Sequence, residues 1–311
     1  MAKDRKKPAA KPALRFDFNE AVKKVVRDHP QLKNGALYIN AANDDWESTE
    51  AALLSLSVDE DDIDEIKKGV KEARRLKTSF CQAISIDGKE LSAVILHPDK
   101  NPLYGAAHGA GDDIGTFDHE TSHALTPGLS GILGENTADA YAALRHLQRF
   151  KGEEDDIDYC GWKRAAIFMR AGVPSHLTTF TLDRILCDAK SADFMSLTPA
   201  ETIAIAKDYA KKHTPDDRKL KRLQNDFKRV KGLPLAEVFN KVAHITLKAD
   251  VKSDTFYLGA RVLKGALQEG GVTLDGQHVE LKGSKWNNIR RKLDAKIDQL
   301  PAKHPLRRKA A

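Results

Sequence analysis

Three cysteines in 311 residues, Cys81, Cys160 and Cys187, are too few and too far apart for a disulfide framework, and no two form a CxxC pair. Reduced thiols and a cytoplasmic location are therefore expected. None of the three has a histidine at a recognisable partner spacing, so each reads as a small buried hydrophobe rather than a nucleophile. No stretch approaches the roughly 20 apolar residues that cross a bilayer, so no membrane insertion is expected. The start, Met1 to Arg15, is basic but has neither the apolar segment nor the small-residue cleavage site of a secretory leader. Aromatic residues make up only 6% of the chain, and no pattern of interleaved basic and aromatic residues surrounds Trp46, Trp162 or Trp286. They read as packing residues, not as a platform for stacked bases.

The net charge of +6 is concentrated at the ends. Residues 1–15 carry +5 and residues 301–311 carry +4, which leaves −3 for residues 16–300. A dedicated nucleic-acid fold would be basic in its body. Two basic, disordered tails that touch nucleic acid only non-specifically, if at all, are expected instead.

The periodicity of apolar residues is mostly helical. A helix is predicted over Phe16–Arg27, ended by Asp28-His29-Pro30, and a short one follows. Ser57-Val58-Asp59-Glu60 resembles a capping box ahead of a helix running to about Leu76, with Ile63, Ile66, Val70 and Ala73 on one face. Phe80–Ile86 and Leu91–His97 around Asp87-Gly88 predict a β-hairpin. Residues 101–115, rich in Gly, Ala and Asp, read as a loop. Past residue 150, helices are predicted over Ile157–Ala171, His176–Ser191, Pro199–His213, Asp216–Val230, Leu235–Ala249, Thr255–Glu269 and Ser284–Gln299. A second hairpin is predicted over Val272–Leu281.

One segment has chemically specific spacing. His119-Glu120-Thr121-Ser122-His123 is an HExxH motif. Histidines four apart lie on one helical face, one above the other, and can grip a single tetrahedral ion. Glu120, rotated about 100° from His119, can reach a water at that ion. A catalytic zinc site wants a third protein ligand and an open fourth position. Glu135 and Asp139, also four apart, start the next helical segment after a turn-forming stretch at 126–131, which brings a carboxylate back to the histidine pair.

Over residues 80–150 this pattern resembles the gluzincin type of zinc metallopeptidase, whose signature is HExxH on one helix and Glu-x-x-x-Asp on the next. The resemblance implies Zn2+ held by His119, His123 and Glu135, with Glu120 as general base and Asp139 bonded to a ligand histidine. The gap from His123 to Glu135 is shorter than in the best-known members and leaves Asp139 as an alternative third ligand. Thr126 and Leu129 stand where the metzincin pattern needs glycine and histidine. His146, about 16 Å along the helix from Glu135, is too far for the same ion and is expected to be structural. Tyr141, Tyr159, His176, Tyr209, His213 and Tyr257 all remain open as oxyanion donors.

The expected fold is α+β and mostly helical. A zincin-like helix pair with a small hairpin or sheet at 16–150 packs on a helical part at 151–300, between basic tails at 1–15 and 301–311. The expected function is zinc-dependent hydrolysis of a peptide or protein substrate. The alternative is a non-catalytic, peptidase-like scaffold or interaction protein.

Overall fold

The computed structural model describes residues 16–308 apart from 43–44, 56, 87–88, 98–109 and 275–276. The tail expected at 1–15, most of the loop expected at 101–115 and the centres of both hairpin turns lie outside the described residues. In chain order the described elements are α1 (Phe18–Asp28), β1 (Ala36–Asn40), α2 (Trp46–Ser55), α3 (Glu60–Leu76), β2 (Phe80–Ile86), β3 (Lys89–Leu96), α4 (Ala110–Leu125), α5 (Gly131–Arg149), α6 (Asp155–Ala171), α7 (Thr179–Asp188), α8 (Pro199–His213), α9 (Asp217–Phe227), α10 (Leu235–Lys248), α11 (Asp254–Gln268), β4 (Gly271–Leu274), β5 (Gln277–Glu280) and α12 (Ser284–Ile297). The architecture is α+β and predominantly helical. No helix among the described residues is long and apolar enough to cross a membrane.

The larger sheet has the order β1-β3-β2, with β1 parallel and β2 antiparallel to the central strand. Ala93, Val94, Ile95 and Leu96 of β3 are all buried because helices cover both faces. On one face the Ile63, Ile66, Val70 and Ala73 stripe of α3 packs against Ile39, Ile84, Ala93 and Ile95. On the other, Phe117 and Ala124 of α4 pack against Val94, Leu96, Val25 and Leu32. Because α4 lies flat on the sheet, the rest of its surface faces α5. Beyond α5 the helices share two apolar cores, one around Tyr141, Leu144 and Leu182, the other around Phe168, Phe227, Phe239 and Phe256.

Several sequence expectations need correction. Strand β1 was not foreseen. Helix α4 already begins at Ala110, inside the segment read as a loop. The proposed capping box does not form: Ser57 has φ 59°, and Asp59, not Ser57, precedes the first turn of α3. Helix α7 starts at Thr179, because a separate 3-10 turn over Pro174–His176 comes first. The basic segment at 301–311 is not a loose tail over its described part. Leu306 is buried, Lys264 Nζ donates to the Leu306 and Arg308 carbonyls at 2.9 and 2.6 Å, and Arg308 pairs with Glu154 at 2.5 Å and with Asp158. One apolar anchor and two acids at the start of α6 hold it down.

Helices α6 and α11 approach so closely at Gly265 that a β-carbon there would lie 2.7 Å from Trp162 Cγ. The indole cannot retreat without breaking the 2.7 Å bond from its Nε1 to the Val262 carbonyl. Gly265→Ala is expected to destabilise the fold by about 2 kcal/mol, in the range of overpacked cores. Chemical denaturation would measure it, and an unchanged midpoint would contradict this packing.

Candidate metal centre

Helix α4 ends just past its second histidine. Thr126 Oγ1 turns back to the Ser122 carbonyl at 2.8 Å and Pro127 cannot continue the helix. Leu129 N then bonds to the Thr126 carbonyl at 2.9 Å, and α5 starts two residues later, running back alongside α4. Gly134 permits the close approach, since a β-carbon there would meet the Leu129 carbonyl oxygen at 2.9 Å and sit 4.0 Å from the His123 ring.

This turn brings the acids of α5 against the histidines of α4. His119 Nε2 lies 3.3 Å from His123 Nε2. Glu135 Oε2 is 3.6 Å from His119 Nε2, and Glu135 Oε1 is 3.6 Å from His123 Nε2. A tetrahedral ion with bonds near 2.05 Å needs ligand atoms about 3.3 Å apart, so these three groups fit a zinc-sized ion. Glu135 Oε2 is buried without a properly directed hydrogen bond. That oxygen lies 3.6 Å from His119 Nε2 and 3.2 Å from His176 Nδ1, and with His123 on its other oxygen the carboxylate has the chemistry of a ligand.

Asp139 is committed elsewhere. Its Oδ1 accepts from His119 Nδ1 at 2.7 Å and from Arg164 Nη2 at 2.8 Å, while Oδ2 accepts from Arg164 Nε at 2.8 Å and from Thr178 Oγ1 at 2.5 Å. With Nδ1 donating to this carboxylate, His119 presents Nε2 to His123 and Glu135. Glu135, not Asp139, is therefore the α5 acid that faces both imidazoles.

A second carboxylate is also near. Ligand atoms of His119, Glu120 and His123 lie within 4.8 Å of one another. Electrostatics separates the two glutamates. Burial would raise Glu135, but the His176, His119 and Arg164 groups around it prevail and hold it at about 2, firmly anionic as a ligand must be. Burial pushes Glu120 up to about 7, with His119 opposing, which suits a group that takes and returns a proton near neutral pH. For His119, burial disfavours the charged ring but the Asp139 carboxylate outweighs it and raises the group to about 9. Burial and the neighbouring His119 charge lower His123 to about 4. Asp139 stays far below the usual carboxylate range, because Arg164 and His119 more than offset its burial.

The cleft over these residues measures about 540 Å3 and is bounded by Phe80, Cys81 and Ala83 of β2, the turn at Leu129–Gly131, and His176. A larger hollow of about 830 Å3 beside β1 contains no histidine or cysteine, so size is a poor guide here. Of the six oxyanion candidates only His176 lines the cleft. Tyr141 is buried against His29 at 2.9 Å, Tyr209 bonds to Asp188 at 2.8 Å and Tyr257 bonds to Asp183. His146 is buried 3.8 Å from Asp156 and away from the cleft.

Two participants escaped the sequence reading. Arg164 on α6 clamps Asp139 and reaches His176 Nδ1 at 2.9 Å, and Thr178 supplies the fourth bond to Asp139. A signal for Arg164 existed: it falls on the Ile157, Cys160, Phe168 stripe, where a cation on an apolar face demands a buried partner. Comparison of the chain with protein-family models, with curated proteins and with solved structures finds no match. Function is accordingly argued from the site alone.

Proposed function

We propose that the chain is a zinc-dependent metallopeptidase of gluzincin type, acting on a peptide or protein substrate. One observation carries the reading: two imidazole nitrogens and the Glu135 carboxylate, from two helices, converge with separations of 3.3, 3.6 and 3.6 Å beneath an open cleft. His119, His123 and Glu135 would hold the ion. Zinc there would supply Lewis-acid polarisation of the scissile carbonyl and an acidified water, its pKa brought from 15.7 to about 7.

The chain's own groups do the rest. Asp139 and Arg164 lock the His119 ring with Nε2 toward the cleft. Glu120, buried at the cleft floor, accepts the attacking water's proton on its carboxylate and passes it to the leaving amine. His176 at the cleft rim is assigned the donor for the tetrahedral oxyanion. Strand β2 is an edge strand lining the cleft, which supports an extended substrate pairing alongside it.

Incubation with a chelator is expected to abolish cleavage of an unfolded protein substrate, and added Zn2+ to restore it. Cleavage that persists without metal contradicts the reading. A zinc-loaded chain that cleaves nothing favours the scaffold alternative.

A further inference from the structure

The even charge balance of the chain's body conceals one strongly basic face. Residues 207–231 contain ten lysines and arginines against four aspartates, an excess equal to that of the entire chain. Acids concentrated elsewhere, at the start of α3 and of α6, cancel it in the total.

Helix α9 separates this charge onto one side. Leu220, Leu223 and Phe227 point into the core. At 100° per residue, Arg218, Lys221 and Arg222 project opposite them, and Lys228 and Arg229 follow, exposed, in the turn after the helix. The exposed side chains of Arg218, Lys221, Lys228 and Arg229 enter no ion pair or hydrogen bond among the described residues. Most nearby acids are engaged: Asp254 by Lys219 at 2.8 Å and Arg222 at 2.5 Å, Asp226 by Thr255 at 2.5 Å, and Asp216 by the Lys219 backbone N–H at 2.7 Å, while Asp217 is exposed at the helix start. Arg229 continues the face into a shallow depression of about 350 Å3 shared with Asn240 and Lys241 of α10. There Lys285 of α12 meets Asn240 at 2.6 Å, and Arg229 and Lys241 offset the lone acid, Glu237.

We propose that this face binds duplex DNA through its phosphate backbone, without reading sequence. From Arg218 to Phe227 the helix spans about 14 Å, and the turn carrying Lys228 and Arg229 lengthens the basic face, enough to meet several phosphates of a duplex that presents one per strand for every 3.4 Å or so of its axis. Residues 216–226 contain no aromatic side chain to stack unpaired bases, which disfavours single strands. The exposed large hydrophobics, Leu54, Leu76, Val173 and Met195, all lie outside α9, so the helix offers no apolar edge to insert into a bilayer. The binding face is thus in the folded body, not in the basic tails, and is independent of the metal site.

The test is fluorescence anisotropy of a labelled, arbitrary-sequence DNA duplex with the full chain at 50 to 200 mM salt. Four or five phosphate contacts predict affinity falling roughly 10²- to 10³-fold over that range. The variant K221E/K228E/R229E, its fold checked by circular dichroism, is expected to weaken binding at least tenfold and flatten the salt dependence. The neutral K221Q/K228Q/R229Q is expected to fall between it and the native chain. Replacing all six basic residues of 1–15 by glutamine should leave most of the affinity intact. Three results would overturn the proposal: no binding at 50 mM salt, binding unaffected by either α9 variant, or binding lost with the tail substitutions alone. Capture of phosphatidylserine vesicles without capture of DNA would also overturn it.

Discussion

Glu120→Gln is expected to lower kcat/KM for peptide hydrolysis by about 10³-fold while zinc remains bound. A positioned general base contributes about 10² to 10⁴, and a thousandfold corresponds to about 4 kcal/mol of transition-state stabilisation. Glutamine keeps the shape of a side chain that is only 6% exposed, so the cleft floor retains its packing. It has no carboxylate to accept the water's proton. The groups assigned to the ion are untouched, because His119 Nε2, His123 Nε2 and Glu135 meet one another without involving Glu120. Steady-state kinetics paired with metal analysis separates the outcomes. Full activity in the variant would place the base elsewhere, and loss of zinc would make Glu120 a ligand.

Arg164→Leu is expected to be the most destabilising single change near the site, by about 3 to 5 kcal/mol, the usual cost of stranding one partner of a buried ion pair. Asp139 is 1% exposed, and two of its four hydrogen bonds come from Arg164. Removing the guanidinium leaves an anion in the core with only His119 and Thr178 to satisfy it. A second effect distinguishes this from simple loss of packing: His119 loses its fixed orientation, so zinc affinity should fall about 10- to 100-fold, as for other supports of metal ligands. The double variant Asp139→Asn, Arg164→Leu should be less destabilised than the two single changes predict together, since it strands no charge. Thermal denaturation and zinc titration provide both readings. A variant within 1 kcal/mol of the native chain would mean that Asp139 is better solvated than its burial implies.

These two residues also show what was legible beforehand. Glu120 stands inside a local motif, where helical geometry alone sets which groups share a face. The same holds for the Glu135 and Asp139 spacing, and for most of the helices past residue 150. Arg164 and Thr178 come to Asp139 from separate elements, and no spacing rule links positions 25 and 39 residues apart. Strand β1 was hidden for a related reason. Its five residues owe their extended form to parallel pairing with β3, more than fifty positions away. The first turns of α4 contain Gly and Asp in place of strong helix formers, and tertiary packing of Phe117 against the sheet decides the outcome over local propensity. At Ser57, a positive φ removes the backbone geometry that a capping serine needs.

Metal content tests the account most directly. The full chain, purified without chelator and analysed for elements alongside His119→Ala and Glu135→Ala, is predicted to hold close to one zinc per molecule, with His119→Ala holding essentially none. Glu135→Ala is predicted to bind far more weakly, because it retains only the two imidazoles. Native protein that binds no zinc even when it is supplied, or zinc content identical in all three proteins, would contradict the metal centre and the peptidase reading built on it.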